Sequence, residues 1–181
     1  MKKILVSMVV LVALVGLVGC STAPRTRAGR ADLSADVRAS IDDATRTDPG
    51  IQRFFDRSVA YAVFPKVGTA GAIVGGAYGR GEVIQNGRLV GYCTLTQADV
   101  GAQLGAQSYS ELIFFENPDA FRDFTTGNFS FSARLSAVLL TAGASANANF
   151  TQGVAVFTLG QAGLMAKATI GGQKFNFQPA S

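Results

Sequence analysis

Apolar residues recur at Leu33, Val37, Ile41 and Ala44, a spacing that draws one stripe along an amphipathic helix. Asp32 or Ser34 is placed to cap its start, and Asp36 suits the positive end of the helix dipole. Asp48-Pro49-Gly50 closes that helix and opens another, with Asp48 as N-cap and Pro49 at the first helical position. The second helix turns Ile51, Phe54, Phe55 and Val59 inward and carries Arg53 and Arg57 on its polar side. From about Ser58 the period changes. Tyr61 and Val63 belong to a short apolar run that Pro65 stops, and strand-like runs rich in Val, Ile, Phe and Gly follow. Asn86-Gly87, between Gly81–Gln85 and Arg88–Leu95, predicts a hairpin. Alternation continues through Val100–Leu104 to Leu112–Phe115. Asn117-Pro118 then caps a helix over 118 to about 126 that turns Phe121 and Phe124 inward, and Phe129 to Phe177 reads as strands again.

This order of elements predicts an α+β domain: an antiparallel, barrel-like β core with two N-terminal helices and one short inserted helix. All 13 Phe lie beyond residue 50, which places the core in the strand-rich part. A weak repeat accompanies it. Ala62-Val63-Phe64 followed by Val67–Ile73 resembles Ala155-Val156-Phe157 followed by Leu159–Met165, as two related strand-turn-strand units would.

Ahead of the domain, Lys2 and Lys3 precede an almost unbroken apolar stretch from Ile4 to Val18, too short for a span of roughly 20 residues. It ends in Leu17-Val18-Gly19-Cys20, which resembles the bacterial lipoprotein signal, so residues 1–19 are expected to be removed and Cys20 to carry lipid. Several acyl chains on one residue anchor a protein stably, at about 0.8 kcal/mol per buried CH₂. Ser21, in place of Asp, points to the outer membrane. Residues 20–31 read as the lipidated cysteine and a flexible tether, with Arg25, Arg27 and Arg30 either solvated or resting on anionic headgroups, and 32–181 as one domain.

The 181 residues hold 16 Lys+Arg, 12 Asp+Glu, two Cys and no His. Without histidine there is no His-based triad, no His general base and no imidazole metal site; two cysteines cannot form a thiolate-only zinc cage. The formal +4 suggests nucleic acid until its location is considered. Lys2, Lys3 and the three tether arginines hold five of the cations, leaving eleven against twelve acids from Asp32 onward. A nucleic-acid partner loses its basis. The glycine-dense segment Gly68–Gly81 lacks the Gly-Lys-Ser/Thr of a phosphate loop and precedes a hairpin, so its glycines read as strand bulges and close backbone approaches. Gly143-Ala144-Ser145-Ala146 lacks the last glycine of a nucleophile elbow, and Cys93 reads as a small buried hydrophobe. Among the acids Glu82, Asp99, Glu111, Glu116 and Asp119, no spacing selects a catalytic pair. Glu116, Asn117 and Asp119 suit a helix N-terminus better than a calcium site.

Ala60–Val67, Ala70–Gly76 with Gly79-Arg80-Gly81, Gly105–Tyr109, Gly127-Asn128 and Gly163-Leu164-Met165 with Gly171-Gly172 together resemble the SYLF domain, over about residues 33 to 177. The likeness is closer to bacterial lipoprotein members than to eukaryotic ones. It implies a mixed fold with an antiparallel β core. Eukaryotic members bind phosphoinositides through a basic, amphipathic N-terminal region, and the yeast members also bind and bundle actin. For a bacterial envelope protein the resemblance implies phospholipid binding, with Arg53, Arg57, Lys66 and Arg80 as candidate headgroup contacts. From spacing alone, the reading of these four as solvated faces of core helices has the edge. The resulting expectation is a non-enzymatic, lipid-anchored protein of the bacterial envelope, facing the periplasm, with no cofactor or metal and with membrane phospholipid as partner. The alternative is a structural lipoprotein docking an envelope protein, and a carboxylate-pair hydrolase comes third.

Overall fold

The computed structural model describes residues 22–71, 74–100, 107–127, 137–160 and 172–180. The expected signal segment and Cys20 lie outside them, as do residues 72–73 and 161–165 of the proposed repeat. Helix α1 spans Arg27–Thr47, and a 3-10 turn over Pro49–Ile51 leads into α2, Gln52–Arg57. Strands β1 (Ala60–Gly71), β2 (Val74–Gln85), β3 (Arg88–Val100) and β4 (Gln107–Phe115) precede α3 (Pro118–Thr125). The short β5 (Val138–Leu139), a 3-10 turn over Ala144–Asn147, β6 (Val154–Gly160) and β7 (Gln173–Pro179) complete the order. Among the described residues, seven strands form one sheet in the order β5-β6-β4-β1-β2-β3-β7, antiparallel except for β5 against β6. The α+β class holds; the sheet curls without closing, with β5 and β7 as its edges.

Both faces of the sheet carry a hydrophobic core. On one, Val63, Ile84, Leu112, Phe114 and Phe157 meet Leu33, Val37 and Ala44 of α1 and Phe54 of α2. That confirms the helical stripe and explains why so short a helix as α2 persists: its Phe54 ring lies 4.7 Å from Phe157 and 5.8 Å from Phe114. On the other face Phe64, Val67, Leu95, Ile113, Phe115 and Val156 gather around Phe124 of α3 and Phe175 of β7. The curl brings β7 across this inner face to β1, with Phe64 and Phe175 5.8 Å apart although two strands separate their own. Among the described residues no helix is long and apolar enough to cross a membrane.

Four local expectations are corrected. Helix α1 starts at Arg27, five residues before Asp32, because the Thr26 hydroxyl caps Gly29 N at 3.0 Å. The stretch read as tether is held further by buried Ala23, whose N–H donates to Gln178 Oε1, and by Arg30 donating to the Pro24 carbonyl. Pro65 does not stop β1: a shift of register between Val63 and Lys66 forms a bulge that absorbs the proline, which has no N–H to pair. Between β5 and β6 the chain is mostly irregular and caps the α1–α2 side, where strands had been expected. Finally, Ala62-Val63-Phe64 and Ala155-Val156-Phe157 sit on β1 and β6, the two neighbours of β4, but out of phase: Ala62 faces the inner core and Ala155 the outer one. The described parts of the repeat are therefore not equivalent units.

The hairpin at Asn86-Gly87 is as expected, with φ of 52° and 71°, which positions its two residues in the left-handed region. Glycines of the dense segment lie in β1 and β2. At Gly81 a side chain would enter the Val63 carbonyl and the Phe64 ring, so glycine is what allows β2 to approach the β1 bulge.

Candidate functional site

The four basic candidates separate into two pairs. Arg53 reaches out of α2, stacks on the Phe54 ring at 4.8 Å and donates to the carbonyls of Ser145 and Ala148, each at 2.5 Å. It fastens the 3-10 turn over Ala144–Asn147 to the helix. Asp48 works on the same turn from the other side. Its Oδ1 accepts from Gly50 N, capping the first 3-10 turn as expected, and its Oδ2 accepts from Ser145 N at 2.6 Å. Burial raises the Asp48 pKa, but hydrogen bonds from Ser145, Gly50 and Gly143 outweigh it and hold the carboxyl below its ordinary value. Arg57 is exposed, lies 5.2 Å over the Phe150 ring and pairs with Glu116 at 2.5 Å. These two arginines thus serve the packing of the irregular segment.

Lys66 and Arg80 lie elsewhere, about 20 Å along β1 from its start at the rise of an extended strand. They are direct partners across the β1–β2 ladder, on the face that α1 shares. The pleat extends this row through Thr94 on β3 to Asn176 on β7. The neighbouring row runs from Ser108 on β4 through Gly68, Tyr78 and Thr96 to Lys174 on β7. The two rows bring Lys66, Arg80 and Lys174 onto one outward surface around Tyr78. Tyr78 is 43% exposed, and its hydroxyl lies 3.4 Å from an Arg80 nitrogen. Lys66 and Lys174 are exposed and Arg80 is half-buried.

Beside this surface a groove of about 850 Å³ runs between α1, the bulge of β1, the start of β4 and the end of β6. Lys66, Ser108 and Ser110 line its sheet side, and Asp36, Ser40 and Arg46 its helix side. Ser110 Oγ donates to the Pro65 carbonyl at 2.8 Å and sits 3.4 Å from Ser40 Oγ, so the β1 bulge shapes the floor. Asp43, on the same helix, is paired with Arg46. Lys174 and Tyr78 were not singled out from the sequence. The signal that finds them is strand pairing: only the β3–β7 register brings Lys174 onto the face that carries Lys66 of β1 and Arg80 of β2.

Among the described residues, the acids singled out from the sequence lie apart from one another. Glu116 and Asp119 are engaged with Arg57 and Arg122, and Asn117 Oδ1 caps α3 at Ala120 N, as its sequence position suggested. The side chain of Asp99 is outside the described residues. Glu82 and Glu111 are both buried, on opposite faces of the sheet. Glu82 accepts from Ser34 Oγ at 2.5 Å on the α1 face; burial raises its pKa, with the Ser34 hydrogen bond and Arg38 pulling the other way. Glu111 is fully buried on the inner face, where burial pushes its pKa up to about 7 against the pull of hydrogen bonds from Gln173 and Tyr109. Cys93 is fully buried in the inner-face cluster; burial, then Glu82 and Glu111, push its thiol well up. Among the described residues no three His, Cys, Asp or Glu side chains gather as metal ligands.

Residues 96–179, from the end of β3 through β7, match the family model described as Ysc84, Las17-binding protein actin regulator. The chain is also similar to a protein of Aeromonas veronii described as beta cell expansion factor A, with 26% identity over 130 residues. That alignment covers 70% of this chain and 49% of the relative, so the chain spans about half the length of the curated relative it matches. Lys174, Glu111 and Gln173 fall within the family match, while Lys66 and Arg80 precede it.

Proposed function

We propose a non-catalytic, lipid-anchored protein of the bacterial envelope whose domain binds anionic phospholipid headgroups, a reading supported by the match of residues 96–179 to the Ysc84 (SYLF) family model. The observation that carries the headgroup reading is the convergence of Lys66, Arg80 and Lys174 around exposed Tyr78 on one face. Three cations from three strands can meet several phosphates of a bilayer at about 1 kcal/mol each near the surface. An exposed tyrosine beside them suits the headgroup level, where an aromatic ring with a polar tip is at home. Arg53 and Arg57 drop out of the contact set because they hold the irregular segment. The non-catalytic reading draws support from the separation of Glu82 and Glu111 by the sheet and from the absence of histidine. Anchoring rests on the lipoprotein-like Cys20 and its apolar leader.

Residues 22–181, which carry every described element, should sediment with vesicles containing phosphatidylglycerol and not with pure phosphatidylcholine. The triple variant Lys66→Glu/Arg80→Glu/Lys174→Glu should lose this binding at unchanged fold. Binding to neither vesicle, or binding unaltered in the triple variant, overturns the proposal. A stoichiometric envelope protein recovered by cross-linking without any vesicle binding favours docking instead. For the anchor, Cys20→Ala should move the protein from the membrane pellet to the soluble fraction, and retention in the pellet rejects lipidation there.

A further inference from the structure

Among the described residues, three buried oxygen atoms on the inner face have no hydrogen-bond partner: Glu111 Oε1, Gln173 Oε1 and Thr158 Oγ1. Their side chains are buried, at 0%, 2% and 1% exposure. They come from three strands. Glu111 on β4 and Thr158 on β6 are direct ladder partners, which places their side chains next to each other on one face. Gln173 opens β7, and the curl of the sheet carries it across the core, where its Nε2 donates to Glu111 Oε2 at 3.1 Å. That bond turns the amide so that its oxygen is the remaining, unpaired atom. The walls are apolar apart from Tyr109, which also hydrogen-bonds Glu111, and Gln97, the buried ladder partner of Gln173. Phe64 faces Glu111 across the β1–β4 ladder, and Cys93, Phe124 and Phe175 belong to the same cluster.

An unpaired polar atom buried in such surroundings costs free energy, and a carboxylate without a cationic partner costs far more. No described Lys or Arg pairs with Glu111. One bridging water would satisfy the three oxygens but, above about pH 7 where Glu111 has given up its proton, leave the carboxylate charge in the core. A small cation does both. The donors are one carboxylate, one amide oxygen and one hydroxyl, all hard ligands of the kind that hold alkali and alkaline-earth ions rather than transition metals. We propose that Glu111, Gln173 and Thr158 form an internal binding site for a single hard cation between β4, β6 and β7. The ion ties the edge strand β7 to the centre of the sheet, which makes it a structural element of the curled core. This site faces away from the Lys66 surface and does not depend on lipid binding.

The test uses the full-length protein in nonionic detergent at pH 8, with ionic strength held constant by N-methylglucamine chloride, a cation too bulky to enter. Sodium, potassium, magnesium and calcium chlorides are titrated separately while Tm is followed by circular dichroism. At least one of these ions should raise Tm saturably, by about 5 °C or more at a hundred times its half-saturating concentration. Glu111→Gln, which keeps the shape and removes the charge, should abolish the rise, and Thr158→Val should shift half-saturation at least tenfold upward. The same Tm in every salt means that the oxygens hold only water and overturns the site. A saturable rise that persists undiminished in Glu111→Gln overturns it as well. The wild-type series decides even where a variant fails to fold, and no vesicle enters the measurement, so this result and the phospholipid result stand or fall separately.

Discussion

Lys66 and Arg80 face each other directly across the β1–β2 ladder, cation opposite cation. Like charges in that relationship destabilise a sheet, and opposite ones contribute about 0.2–1 kcal/mol. Lys66→Glu should therefore raise stability slightly, as an increase in urea midpoint at constant m-value, while weakening sedimentation with anionic vesicles. A pair kept for folding alone would show no loss of vesicle binding. A loss of both stability and binding would instead mean that Lys66 holds a contact the ladder does not reveal.

Glu111 sets a pH dependence whose sign follows from its burial. Its folded pKa is about 7, raised from an ordinary 4.5, so between these values the native chain holds a proton that the unfolded chain has released. Stability from this group is complete below about pH 4.5 and declines as pH rises to about 7, by about 3 kcal/mol in all. Urea denaturation at pH 5, 6 and 7.5 in N-methylglucamine buffer checks it. Glu111→Gln should flatten the slope across that window. An unchanged slope would assign the pH dependence to other groups.

Local structure was legible wherever neighbours in sequence decide it. The stripe of Leu33, Val37 and Ala44, the Asp48 cap, the Asn86-Gly87 turn and the Asn117 cap all act within a few residues, and all stand in the fold. The start of α1 was missed because Thr26 caps by its own hydroxyl inside a segment whose Pro, Gly and Arg content reads as linker. Long-range relationships were out of reach. Glu111 and Gln173 are 62 residues apart and meet only because the sheet curls. Lys174 joins Lys66 and Arg80 only through the β3–β7 register. For the same reason Arg53 read as a surface cation, although its guanidinium serves carbonyls more than 90 residues away.

Arg53 and Arg57 lie one helical turn apart and should behave differently. Arg53→Ala removes two charge-assisted hydrogen bonds and leaves the carbonyls of Ser145 and Ala148 to find water, a loss of about 2–3 kcal/mol. Arg57 is largely exposed and its pair with Glu116 is screened, so Arg57→Ala should cost less than about 1 kcal/mol. Chemical denaturation of both variants measures the difference. Neither change should reduce vesicle binding once the proteins are folded. A loss in Arg57→Ala would return that residue to the lipid-contact set.

Cys93 offers a direct reading of how tightly the inner core is closed. Its thiol is fully buried, and burial together with the nearby Glu82 and Glu111 disfavours the reactive thiolate. In a Cys20→Ala background, where Cys93 is the one thiol left, a disulfide reagent at pH 8 should label the native protein slowly. The rate should climb to that of a free thiol in denaturant, with a midpoint that coincides with loss of circular dichroism. Rapid labelling of the native chain would show that the β1–β2–β3 sheet opens locally without global unfolding.

Two glycines separate steric from conformational need. At Gly81 the chain is extended, but an added methyl would penetrate the Val63 carbonyl and the Phe64 ring, so β2 would have to withdraw from the bulge beside Lys66. At Gly87 there is open space, and the cost arises from φ of +71° alone. Gly87→Ala should lower stability by about 1–2 kcal/mol, the penalty of one left-handed residue. Gly81→Ala should cost about 3 kcal/mol or more, the upper end of overpacking, because backbone rather than a movable side chain lies in the way. It should also weaken vesicle binding in whatever fraction folds, since Lys66 and Arg80 are placed by the strand approach that Gly81 permits. Equal destabilisation by the two substitutions, with binding intact, would mean that the bulge relaxes freely and does not position the basic face.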